Sequence, residues 1–148
     1  MGTPTKAKPT KNTLIQRGDG GGPETFTTIG EVMSFSSPQV SVDEIEVTNF
    51  DSTAKEFISS GLADGGELTI EMNFVGSDAQ QQGLRTDCYA GTTRNFKFVM
   101  NDHATTKSNV TFAAFVKNID GPKGSVGEAY KTTVTLKVTG APTWAYAP

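Results

Sequence analysis

Cysteine, histidine and tryptophan each occur once in these 148 residues, as Cys88, His103 and Trp144. A single cysteine excludes an intramolecular disulfide, and it excludes a zinc site built on several thiolates. His103 stands in Asn101-Asp102-His103-Ala104 with no nucleophile or orienting partner beside it in sequence, so it reads as a solvated loop side chain rather than a catalytic base. No apolar run approaches the ~20 residues a membrane-spanning helix needs, so no membrane insertion is expected. The opening Met1–Pro9 has no apolar core of a secretory signal, and Lys6 stands where myristoylation wants Ser or Thr. Excess positive charge is also missing. Thirteen basic against sixteen acidic residues leave −3, which excludes a nucleic-acid binder held by bulk charge. The acids at 43–46 lack calcium-loop spacing, and the glycines at 18–22 are not followed by the Lys-Ser/Thr of a phosphate loop. No constellation for catalysis is present, and no cofactor or metal is expected.

What is present is one domain's length of lean, turn-rich chain, with 35% hydrophobic residues, 16 Gly and 7 Pro. Charge is unevenly laid out. Residues 1–17 carry Lys6, Lys8, Lys11 and Arg17 and no acid, whereas residues 43–71 hold Asp43, Glu44, Glu46, Asp51, Glu56, Asp64, Glu67 and Glu71 against Lys55 alone. A basic arm before an acidic middle suits contact between neighbouring copies of one chain. The plain alternative is a solvated tail and a solvated loop.

The pattern predicts mainly β structure, as an antiparallel sandwich or barrel with one helix. A flexible basic arm covers 1–17, a β domain covers 18–142, and a short tail covers 143–148. Phe26, Ile29, Val32 and Phe35 suggest a first strand bent at Gly30. Val40 and Val42 alternate in one phase and Ile45 and Val47 in the other, which predicts a β-bulge at Asp43-Glu44. Residues 43–66 read as a long acidic loop with one helical turn near Ala54–Ile58, in which Phe50, Phe57 and Ile58 argue against disorder. Leu68, Ile70, Met72 and Phe74 alternate with Glu67, Thr69, Glu71 and Asn73, the clearest strand of the chain. Ser77-Asp78-Ala79-Gln80 fits a capping box that opens a helix over 78–90, with Gly91 as its stop and Cys88 on its apolar stripe. Strands follow at 95–100, 110–119 and 130–139; in the last, Val134, Leu136 and Val138 oppose Thr133, Thr135, Lys137 and Thr139.

Three segments within 43–68 carry a family resemblance: Asp43-Glu44-Ile45-Glu46-Val47-Thr48, Asp51 through Ile58, and Gly61-Leu62-Ala63-Asp64-Gly65-Gly66-Glu67-Leu68. With Asp78 through Arg85, Gly91 through Phe96 and Val138-Thr139-Gly140-Ala141-Pro142, they resemble the major tail tube proteins of long-tailed, non-contractile bacteriophages, over about residues 24–143. That resemblance implies a structural virion protein assembled in the bacterial cytoplasm. Its hexameric rings stack into a hollow tail tube for DNA, and each subunit contributes strands to a shared inner β-barrel. It also implies a tape measure protein and a tail terminator as partners, and passage of double-stranded DNA without specific binding.

On this reading Glu67, Thr69, Glu71, Asn73, Thr133, Thr135, Lys137 and Thr139 are the lumen-facing candidates, where an acidic or neutral lining avoids phosphate. Lys137 departs from that lining, and a neighbouring Glu is expected to neutralise it. Two surfaces serve stacking. One is the acidic stretch with Asp43, Glu44, Glu46, Phe50, Asp51, Lys55, Phe57 and Ile58; the other is the arm with Lys6, Lys8, Lys11 and Arg17. The competing reading is a monomeric β-sandwich at a tail tip, binding carbohydrate or protein through Trp144 and Tyr146.

Overall fold

A computed structural model describes residues 4–148; Met1, Gly2 and Thr3, the start of the expected arm, lie outside the described residues. The chain runs β1 (Leu14–Gly18), β2 (Phe26–Thr28), β3 (Val32–Phe35), β4 (Ser41–Glu46), β5 (Phe57–Asp64), β6 (Glu67–Asn73), α1 (Ala79–Ala90), β7 (Thr93–Val99), β8 (Asn109–Ile119) and β9 (Lys131–Ala145). Seven strands form one antiparallel sheet in the order β2-β1-β7-β8-β9-β6-β3, and β4 and β5 form a separate hairpin.

The two edge strands of the large sheet, β2 and β3, are separated only by Ile29, Gly30 and Glu31. Four Cα steps reach at most about 14 Å. Seven strands laid flat would hold their edges about 29 Å apart. The sheet must therefore roll until its margins approach one another, and the expected single strand over 26–35 becomes two strands on opposite margins. Rolling leaves one face inside. Leu68, Ile70, Met72, Phe96, Phe98, Val110, Phe112, Val134 and Leu136 are buried there, each stabilising by about 1.5–3 kcal/mol on the transfer scale. Phe98 meets Phe35 and Phe112 edge-on, which ties β3 to β7 and β8 across the interior.

α1 closes one end of the roll, with Leu84 in the core. Its N-cap is Asp78 rather than the expected Ser77, because from that position one carboxylate serves two elements. Oδ1 accepts the Gln80 and Gln81 N–H groups, and Oδ2 accepts the Gly30 N–H at 2.9 Å. A Cβ on Gly30 would overlap that carboxylate, so the link between the sheet margins needs glycine. The buried Gln81 donates to the Gly30 and Asn73 carbonyls and accepts the Val75 N–H. Gly91 ends the helix at φ 68°, as its place in the sequence predicts.

Strand structure reaches into both the expected arm and the expected tail. Residues 14–17, assigned to the arm, belong to strand β1, which lies between β2 and β7 with Ile15 in the core. Arg17 consequently points under α1, not toward another subunit. Its guanidinium bonds the buried Asp87 (Nη2–Oδ2 2.8 Å) and donates to Gln80 Oε1, while Arg94 grips Asp87 from β7 at 2.8 Å. Thr143–Ala145, assigned to a tail, continues β9 opposite Asn109–Thr111, beyond an irregularity that contains Gly140 at φ 78°.

The Arg17–Asp87–Arg94 cluster couples the helix to two strands, and removing its only acid leaves two half-buried cations unpaired. Asp87→Ala is expected to lower the unfolding free energy by about 3–5 kcal/mol. Urea denaturation checks this, and a loss below about 1 kcal/mol would show that the cluster is dispensable.

Candidate assembly surfaces

The hairpin extends a ladder that begins inside the domain. Phe35 pairs with Ile70 in β3–β6, and Ser41 with Asp64 in β4–β5, in the same register frame, so the hairpin carries the β3–β6 pair out past the end of the sheet. Gly65 and Gly66 form the neck, where a Cβ on Gly65 would strike Val138 and one on Gly66 the Gln39 carbonyl. Half of the expected acidic loop is thus strand. No helical turn forms near Ala54–Ile58, because Phe57 and Ile58 pair with Glu46 and Ile45. The bulge does fall at Asp43, but the extra residues belong to β5, around Gly61 at φ 78°.

Every residue of β4 is exposed, and so is all of β5 except the half-buried Ser60. Val42, Ile45, Phe57, Ile58 and Leu62 are among the exposed apolar residues, and since Phe57 and Ile58 are consecutive in one continuous stretch of pairing, both faces of the ribbon are apolar. A lone two-stranded ribbon is marginal in water, and a contiguous exposed apolar surface marks a contact site. The apex is nevertheless ordered. Asn49 Oδ1 accepts the Asp51 N–H, Ser52 Oγ accepts the Asn49 N–H and donates to Glu56, and Thr48 Oγ1 accepts the Glu56 N–H. Phe50 is held out at the tip, fully exposed. Asp43, Glu44, Glu46, Asp51 and Lys55 surround these apolar groups at the surface.

The polar residues of β6 and β9 meet as the alternation predicts. Glu67 lies opposite Lys137, Thr69 opposite Thr135, Glu71 opposite Thr133 and Asn73 opposite Lys131, all on the face away from the core; Thr139 lies farther along β9, opposite Ala113 of β8. Sequence reasoning missed Lys131 and Lys117 on this surface, although Lys117 continues the outward parity of Thr111, Ala113 and Phe115. Lys137 is paired with Asp64 at 3.4 Å, and the expected glutamate partner, Glu67, binds Lys117 instead. The hydrogen bond from Lys117 holds the Glu67 carboxyl below its ordinary range, and the Gly66 N–H, aided by Lys137, does the same for Asp64. The surface is locally neutral rather than acidic.

The arm does not stand opposite the hairpin. Lys6 and Lys8 line a hollow with Phe35, Met100, Trp144 and Tyr146, and the Lys11 carbonyl accepts from Asn101. Arm and hairpin therefore share one pole of the roll, and α1 with the loop after β8 occupies the other. Trp144 and Tyr146 stack in parallel, with ring centroids 6.0 Å apart. His103 Nδ1 accepts the Thr105 and Thr106 N–H groups, and Cys88 packs half-buried against the core.

The same rolled sheet with one plugging helix occurs in solved structures of phage tails and related particles. It matches the tail of an empty gene transfer agent particle refined with C6 symmetry (TM-score 0.72, 19% identity, 94% of this chain and 99% of that one). It also matches the SPP1 tail tube (0.67, 12%, 91% and 77%) and the sheath–tube complex of a PVC extracellular contractile injection system (0.68, 13%, 94% and 91%). No curated protein sequence matches. The family model described as lambda phage tail tube protein matches residues 16–145, and the chain belongs to that family. It is a structural tail tube protein.

Because its native carboxyl sits below the ordinary value, the Glu67 contribution to stability is full above the usual glutamate range and is lost as pH falls through the lowered native value. Lys117→Met should move the Glu67 carboxyl midpoint upward toward that usual range. Carbon-detected NMR titration reads the shift, and an unmoved midpoint would show that Lys117 is not its cause.

Proposed function

We propose that this chain assembles into rings of six copies that stack into the tail tube, with the outward face of β6 and β9 lining a bore for double-stranded DNA. The hairpin carries the proposal: an ordered ribbon, apolar on both faces, stays exposed among the described residues of its own subunit. Closing strands against identical partners removes exposed edges, and head-to-tail contacts extend the assembly without limit. In the bore, Glu67 with Lys117 and Asp64 with Lys137 compensate one another, so the lysines hold few phosphates by counterion release and DNA can slide. The role is structural rather than catalytic. A tape measure protein inside the bore and a terminator at the end complete the tail, which assembles in the bacterial cytoplasm before joining the virion.

Concentrated protein should form tubes or rings in negative-stain images; a monodisperse monomer at high concentration would overturn the reading. Phe57 is about half exposed, so Phe57→Ala should change monomer stability by no more than about 0.5 kcal/mol yet abolish or shorten tubes. A loss of several kcal/mol in the monomer would return Phe57 to its own subunit. Deleting residues 1–13, including Lys6, Lys8 and Lys11, should leave a folded monomer that stacks poorly, and unaltered tubes would remove the arm from the contact.

A further inference from the structure

At the pole opposite the hairpin, a groove of about 270 Å³ opens between α1 and the ends of β6 and β8. Its apolar wall comes from Met72, Phe74, Val75, Tyr89 and Ile119. The polar side chains around it are already engaged: Gln81 as described above, Gln82 donating to the Gly76 carbonyl, and Thr86 to the Gln82 carbonyl. The open surface therefore suits an apolar side chain better than a polar metabolite. Arg85 is the only charged residue of the lining among the described residues, and its Nη2 rests on the Asp120 carbonyl at 3.3 Å. Tyr89 stands 84% exposed at the rim.

We propose that this groove receives the hairpin apex of the next copy in the stack, with Phe50 seated between Tyr89 and Phe74 and Asp51 facing Arg85. The inference rests on the tube reading and supplies the receiving surface that reading leaves open. Three features favour a second copy as the occupant. The apex and the groove lie at opposite poles of one subunit, so a simple head-to-tail repeat brings them together at every step. The apex pairs an aromatic group lacking any cover with acids, Asp51 and Glu56, that outnumber Lys55, and the groove pairs apolar walls with one cation. The local hydrogen bonds that order the apex reduce the entropy lost on seating.

Thiol cross-linking in assembled protein tests the proposal. Cys88 is the only native cysteine, so Cys88→Ser is the parent, and Ala54→Cys at the apex and Ala90→Cys beside Tyr89 fall at exposed positions that leave both aromatics in place. With a short bismaleimide, the protein carrying both cysteines should run as a ladder of multimers on a denaturing gel. A mixture of the two single-cysteine proteins should give dimers. Phe50→Ala should raise the concentration needed for assembly by roughly ten- to a hundredfold, and Arg85→Glu should be rescued in part by Asp51→Lys. Tubes that form normally yet give no ladder would overturn the seating while leaving the tube reading intact. Failure of both parent and native chain to assemble would overturn both.

Discussion

Three residues joining the two margins of a seven-stranded sheet are the constraint on which the rest of this structure depends. Because Ile29, Gly30 and Glu31 cannot reach across a flat sheet, the strands must curl, and curling creates the interior that the apolar sides of β6, β7, β8 and β9 fill. One end of the roll then needs a plug, which α1 supplies. The same short link is bonded to the helix through Asp78 and Gln81, so the turn that forces curvature also anchors the element that seals it.

The curl disposes of the edge problem in one place and exposes it in another. β3 and β6 pair within the roll, yet their ladder continues in register past the Gly65–Gly66 neck into a hairpin that has left the core behind. Outside, its apolar residues face water on both sides. A polypeptide that orders such a ribbon locally while leaving it uncovered is built to be covered by something else, and a repeating partner is the economical choice. The two poles of the subunit differ in the manner required: a projecting acidic, aromatic apex at one, and an apolar recess with a cation at the other.

Electrostatics play two distinct parts. Inside, Asp87 between Arg17 and Arg94 fixes the helix to β1, far from it in sequence, and to β7, which follows it, a contact that is costly to break because its members are shielded from water. On the polar face of β6 and β9 the pairs are wet and individually weak. There what counts is local neutrality: carboxylates of Glu67 and Asp64 keep Lys117 and Lys137 occupied on a surface over which a polyanion is proposed to move.

Much of this was legible in the residues themselves. Strict alternation over 67–73 and 131–139 identified both the buried and the outward sides of β6 and β9, since strand side chains alternate whatever the tertiary context. Gly91 marked the helix end, and the phase switch at Asp43 marked a bulge. Other features were beyond reach of local pattern. Residues 43–66 mix both parities because a ribbon apolar on both faces has no polar side to reveal its period, so the stretch reads as loop. Arg17 read as part of a basic arm because an ion pair spanning 70 positions leaves no local trace. The order of amino acids determined which segments would be strands and which sides would be dry. Only the closed sheet decided which strands became margins, which pole carries the projection and which the recess, because those follow from the reach of one short connection through space.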